Sequence, residues 1–231
     1  MNVQGYQKLT LLDFPERVAC TVFTGGCNLR CPFCHNASLV LTPRVGNNLE
    51  EEVLTYLAGR TGILDGVCIT GGEPLLQLDL SDFVKRVKNM GYSVKLDTNG
   101  SDPDALAALL ATGNIDYIAM DIKSSPERYA IAIGKEFPLE RFQRSVEIIR
   151  ASEIPYEFRT TLVKGIHVEE DAEKIGKWLA GEKKYFLQGF VDSGNLLGTG
   201  YAAFSPEETK AFLQTIRKYI PEAKLRGQEG E

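Results

Sequence analysis

The chain has 231 residues, 43% hydrophobic and 25% charged, enough for one sizeable core of an ordinary globular kind. Lys and Arg number 26 against 31 Asp and Glu, a net charge of −5 with no basic stripe, so nothing predicts nucleic-acid binding. No run of about 18 apolar residues is present to span a membrane, MNVQGYQKLTLLDFPE lacks a signal-peptide pattern, and five cysteines, three of them in one loop, argue for a reducing, cytoplasmic setting over a disulfide framework.

Short β-branched runs alternate with amphipathic helical ones along the chain. Arg17–Thr24 predicts a first strand, and Leu49–Arg60 a helix with Asn48 and Glu51 placed for a capping box. Gly66–Thr70 is a second strand, followed by a helix whose Leu80, Phe83, Val84 and Val87 keep the i, i+3, i+4, i+7 spacing. Ser93–Thr98 is a third strand, and Asp102-Pro103 opens the next helix. Tyr117–Lys123 and Tyr156–Val163 are the fourth and fifth strands, each followed or preceded by helical runs at 139–151 and 168–180. Tyr185–Gly189 is a sixth strand, Ser205-Pro206-Glu207-Glu208 starts a last helix, and Ala223–Arg226 is a short seventh strand. One core domain over 1–226 with an N-terminal extension is expected, and a loose tail at 227–231.

Six βα units imply a parallel α/β sheet with right-handed crossovers, either barrel-like or doubly wound. Strand alternation bears on the choice. Val94 and Leu96 oppose Lys95 and Asp97; Ile118, Met120 and Ile122 oppose Tyr117, Ala119, Asp121 and Lys123; Phe158 and Thr160 oppose Glu157, Arg159 and Thr161. One greasy and one charged face suits a barrel with an occupied lumen better than a sheet covered on both sides.

The loop after the first strand, CNLRCPFCHN, holds Cys27, Cys31 and Cys34 in a C-x3-C-x2-C spacing. Three metal centres compete. A structural zinc needs a fourth ligand, for which His35 is badly placed beside Cys34. An electron-transfer cluster takes four cysteines, and Cys20 and Cys68 both fall inside predicted strands. A [4Fe–4S] cluster with one iron left open needs only these three.

The spacing, with Phe33 before the last cysteine, resembles the signature of the radical S-adenosylmethionine (SAM) family, whose fold is a partial (β/α)6 barrel. Thr70-Gly71-Gly72-Glu73-Pro74 is similar to that family's GGE motif. Asp97-Thr98-Asn99-Gly100 and Met120-Asp121-Ile122-Lys123 resemble stretches of glycyl-radical-enzyme activases such as the pyruvate formate-lyase activating kind. Leu11-Leu12-Asp13-Phe14-Pro15 and Cys34-His35-Asn36 look most like the activating proteins of anaerobic ribonucleoside-triphosphate reductase.

The resemblance implies an enzyme with one [4Fe–4S] cluster on Cys27, Cys31 and Cys34, since 36–48 is short and free of further cysteines. It implies reductive cleavage of SAM to a 5′-deoxyadenosyl radical, which takes a glycine Cα hydrogen from a partner glycyl radical enzyme. Flavodoxin or ferredoxin would supply the electron. Phe33 and His35 would lie near the adenine, and Gly71, Gly72 and Glu73 at the methionine amine. Lys123 would approach the SAM carboxylate or ribose, with Asn99 and Arg159 in the same cavity. Asp97, Thr98, Asp121 and the Ala119 carbonyl match a monovalent-cation site beside SAM, and Asp13 a contact to the protein substrate. The alternatives are activation of a different glycyl radical enzyme, or radical chemistry on a small molecule or another peptide.

Overall fold

The computed structural model describes residues 1–44, 46, 48–192 and 194–226, so the tail expected to be loose lies outside the described residues. Eight strands form one sheet in the order β1-β2-β3-β4-β5-β6-β7-β8. They are β1 (Val3–Thr10), β2 (Ala19–Thr24), β3 (Gly66–Gly71), β4 (Ser93–Thr98), β5 (Tyr117–Asp121), β6 (Tyr156–Leu162), β7 (Tyr185–Gly189) and β8 (Lys224–Arg226). β1 pairs antiparallel with β2, while β2–β3–β4 and β6–β7–β8 pair in parallel. A doubly wound sheet reverses its order at a switch point. This order never reverses, which is the winding of the barrel class expected from the charged strand faces.

Helices fill the crossovers: α1 (Ala37–Leu41), α2 (Leu49–Ala58), α3 (Leu80–Asn89), α4 (Pro103–Leu110), α5 (Tyr129–Ile133), α6 (Leu139–Ala151), α7 (Glu169–Trp178) and α8 (Pro206–Arg217). Contacts divide the chain into two compact units, Met1–Asn28 with Ser38–Ala119 and Glu140–Tyr156, and Leu29–Ala37 with Met120–Leu139 and Glu157–Glu231. In the first, the predicted stripe of α3 (Leu80, Phe83, Val84 and Val87) is buried, as are Val67 and Ile69 of β3 and Val94 and Leu96 of β4. Each such side chain contributes about 1.5–3 kcal/mol by leaving water. In the second, Phe158, Leu162, Tyr185, Leu187, Ile175 and Ile216 form the corresponding core.

Several local expectations shift. β1 had no counterpart in the sequence reading, because VQGYQKLT alternates poorly and only its two ends are buried. Asn48 makes no side-chain bond to α2; its backbone (φ −95°, ψ 20°) departs from the extended geometry that aims a cap side chain at the first turn. Asp102 and Ser205 do cap, accepting from the N–H groups of Ala105 and Glu208. The strand expected over 117–123 ends at Asp121, and the short helix α5 follows where none was expected.

Candidate active site

In the first unit, the candidate site residues are built on two glycines. Gly71 ends β3 at φ +114°, a conformation L side chains rarely adopt, and a Cβ there would stand 2.3 Å from the Thr24 nitrogen. A Cβ on Gly72 would lie 1.9 Å from the Gly26 carbonyl oxygen. The same approach is stitched by hydrogen bonds: Gly72 N–H donates to Thr24 O and Glu73 N–H to Gly26 O, each at 2.9 Å. Gly71 and Gly72 therefore let the β3 turn touch the residues that lead into Cys27.

Glu73 is fully buried, and its carboxylate is occupied by the chain itself. It accepts from Leu75 N–H (3.1 Å), from the Thr98 hydroxyl (2.7 Å) and from Asn99 N–H (2.7 Å). The carboxylate thus fixes the start of the D-T-N-G loop. Asn99 carries the link onward: its side-chain N–H groups face Cys27 Sγ at 3.7 Å and Asn28 Oδ1 at 3.4 Å. Asn28 and Ser101 close the web through a 2.8 Å bond, and α6 clamps the loop from behind. There Ser145 donates to Gly100 O and Arg141 to Ser101 O, both at 2.7 Å. Asn28, Ser101, Ser145 and Arg141 were not picked out from the sequence, since no motif distinguishes them from ordinary polar residues.

Lys95 was also missed as a site residue. Its side chain is 1% exposed and its ammonium is ion-paired with Asp97, two residues along on the same face of β4. Across the register it stands 3.8 Å from Cys68 Sγ on β3. Cys68 and Cys20 are buried as expected, and burial raises the Cys20 thiol to about 12. Asp13 accepts the Thr21 hydroxyl, and its N–H donates to Thr10 Oγ1 at 3.3 Å, which braces the turn between β1 and β2.

In the second unit, another cluster of candidate residues stands on β5, β6 and the later part of the cysteine loop. Arg159 grips Asp121 with two nitrogens at 2.9 Å, and Lys123 reaches the other carboxylate oxygen at 3.0 Å. Burial opposes the Asp121 charge, but Arg159 and Lys123 outweigh it and hold the carboxyl well below the usual range. Burial likewise opposes the Lys123 charge, and Asp121, with Cys31 behind it, keeps the ammonium firmly protonated. Below this group His167 is buried, receiving Val163 N–H on Nδ1 (3.1 Å) and meeting the Lys123 carbonyl through Nε2 (2.9 Å). The Tyr129 hydroxyl accepts the Lys123 N–H at 3.3 Å, and burial pushes that phenol far up.

The cysteine loop is shaped on this side by α5. Gly134, at φ +70°, caps the helix; a Cβ there would stand 2.1 Å from Arg30 O, and Arg30 N–H donates to Ile133 O at 2.9 Å. Cys34 N–H donates to Cys31 O, Phe33 is buried, and His35 is an exposed residue whose imidazole pKa is nonetheless lowered by burial. Cys27, Cys31 and Cys34 are all free of disulfides. Three soft, reduced thiols, one short of the four that close a site, fit an iron–sulfur cluster with an open iron. Among the described residues no group of three or more His, Cys, Asp or Glu stands ready to hold a metal ion. The predicted cation ligands fit less well: Asp97 already has Lys95, Asp121 has Arg159 and Lys123, and the Thr98 hydroxyl donates to Glu73.

Comparison with known proteins bears on the family and the fold. The model of the Radical SAM superfamily matches residues 21–179. A candidate glycyl-radical enzyme activating enzyme of Methanocaldococcus jannaschii is 31% identical over 196 residues, 81% of this chain and 79% of that protein. A pyruvate formate-lyase-activating enzyme of Listeria monocytogenes is 34% identical over 139 residues, 55% of this chain and 56% of that one. Among solved structures, SuiB of Streptococcus suis bound to its precursor peptide SuiA superposes with a TM-score of 0.69 at 13% identity. That match covers 90% of this chain but 48% of SuiB, so the chain spans about half the length of that structure. At that identity the likeness bears on the fold alone, and the fold is the partial (β/α)6 barrel class that the sequence predicted.

Proposed function

The chain belongs to the radical SAM superfamily and is an enzyme of it, and we propose that it is an activase that installs a glycyl radical in a partner protein. The observation that carries this reading is its 31% identity, across about four-fifths of both chains, to a candidate activase. The D-T-N-G loop and the Asp121–Lys123 pair support it. In this reading Cys27, Cys31 and Cys34 hold one [4Fe–4S] cluster. Once bound, cluster and SAM supply a reductively generated 5′-deoxyadenosyl radical able to take a hydrogen from a glycine Cα.

The chain's own residues bind and orient. Gly71 and Gly72 offer their backbone to the methionine amine, while the Glu73 carboxylate, already taken by Leu75, Thr98 and Asn99, fixes the start of the neighbouring loop. Lys123 offers an ammonium to the carboxylate or ribose of SAM, and Asp121 and Arg159 fix where that ammonium stands. Phe33 and His35 flank the adenine, and Asn99 joins the cysteine loop to the β4 loop. Asp13 meets the protein substrate. Anaerobic ribonucleoside-triphosphate reductase is the partner this reading favours, with pyruvate formate-lyase second and flavodoxin or ferredoxin as donor.

The test is electron paramagnetic resonance. Reconstituted enzyme, SAM and reductant should give a glycyl doublet on purified reductase, absent when any one component is omitted. SAM cleavage without a doublet on either candidate partner would instead favour a small molecule or another peptide as substrate.

A further inference from the structure

We propose that Lys95 is a built-in counter-cation, whose tethered ammonium occupies the place at Asp97 where a bound monovalent cation would otherwise sit. The resemblance to activases implies a monovalent-cation site that includes Asp97, and such a site needs its carboxylate open to an ion. The structure gives Asp97 an ammonium from its own strand instead. Lys95 is 1% exposed and Asp97 12%, so the pair is largely out of water. A charge in that setting is costly unless compensated.

The neighbours show that this position is built for the pair. β3 brings Cys68 into register with Lys95, a thiol rather than a second charge, with Sγ 3.8 Å from the ammonium. Val94 and Leu96 bury the other face of the strand, so the lysine has no alternative direction. An ammonium is a compact point charge on a flexible stem, the side chain closest in character to an alkali cation. Because it is tethered, it needs no free ion and does not vary with ion concentration. Asp97 then keeps its position at the end of β4, next to the Thr98 hydroxyl and Asn99 amide that Glu73 fixes.

Only the activity arm of the following test rests on the activase reading. Thermal unfolding of the apo chain is followed at constant ionic strength in choline, sodium and potassium chloride. SAM cleavage by the reconstituted enzyme is measured in the same salts. The wild type should show the same melting temperature in all three and cleavage rates within about twofold.

Lys95→Met should melt lower in choline and recover on adding sodium or potassium. Its SAM cleavage should fall at least about tenfold in choline and return in part with either ion. Lys95→Met/Asp97→Asn, with no charge left to compensate, should ignore the ions in the melting assay. Wild-type stability or cleavage that rises several-fold in sodium or potassium would overturn the proposal, even if Lys95→Met fails to fold. So would a Lys95→Met protein whose losses no ion restores.

Discussion

The two units treat charge in opposite ways at their strand ends. In the first, Glu73 is fully buried with its oxygens occupied by Leu75, Thr98 and Asn99, and the Lys95–Asp97 pair is largely out of water. In the second, Asp121 keeps 32% of its side chain exposed and Lys123 keeps 19%. Fully satisfied buried polar groups rigidify and specify a backbone path. Partly exposed charges retain the freedom to meet a ligand. The first unit thus supplies a frame for the β3 and β4 loops, and in the proposed function the second supplies groups that receive a ligand.

The frame should break first. Gly72→Ala forces a methyl group against the Gly26 carbonyl, and neither backbone segment can yield cheaply. We expect a loss of about 3 kcal/mol or more, read as a lower denaturant midpoint with unchanged slope. Glu73→Gln comes next. It turns one accepting oxygen into a donor facing the Thr98 hydroxyl or the Asn99 N–H, at a cost of about 1–3 kcal/mol by chemical denaturation.

On the receiving side the order of effects reverses. Asp121→Asn leaves Arg159 and Lys123 facing each other with half their compensation gone, yet solvent reaches the group. Its melting temperature should move less than that of Glu73→Gln, while SAM affinity by calorimetry on the reconstituted enzyme should change severalfold. An Asp121→Asn protein less stable than Glu73→Gln would undo the distinction between frame and receiver.

His167 sharpens it through pH. Burial disfavours the imidazolium, so its folded pKa lies below the unfolded value of about 6.5. Below that value the unfolded chain binds a proton that the folded chain resists, so stability falls as pH drops from 7 toward 5. His167→Gln, which can still donate to the Lys123 carbonyl, should flatten that slope in urea titrations at several pH values. The smallest effect belongs to Lys177→Ala. That lysine pairs only across an exposed turn of α7 with Glu173, and its loss should leave the melting temperature unchanged within error.

What the sequence made legible follows from period and motif. The α3 stripe, the parallel strands and the alternation on β4–β6 come from patterns strong enough to survive packing, and the motif glycines from their need to bring backbones together. β1 was hidden because an edge strand with only its two ends buried carries little alternation. α5 was hidden because five residues with a glycine cap fall below the length at which a period shows. Lys95 illustrates a different gap. Alternation put it on the charged face beside Asp97, but no spacing rule shows that its ammonium turns back onto that carboxylate. Asn28, Ser101, Ser145 and Arg141 are common residue types whose part in the site arises only when α6 packs on the loop after β4.

In the proposed function, the Cys27, Cys31 and Cys34 thiolates hold a cluster whose open iron is kept for SAM. The most direct measurement is anaerobic reconstitution with iron and sulfide, followed by reduction in the presence of SAM and quantification of 5′-deoxyadenosine. The account predicts about four irons per chain, release of 5′-deoxyadenosine, and loss of both when Cys27, Cys31 and Cys34 are replaced by Ala. A chain that takes up zinc but no iron, or that binds a cluster and leaves SAM intact, would contradict it.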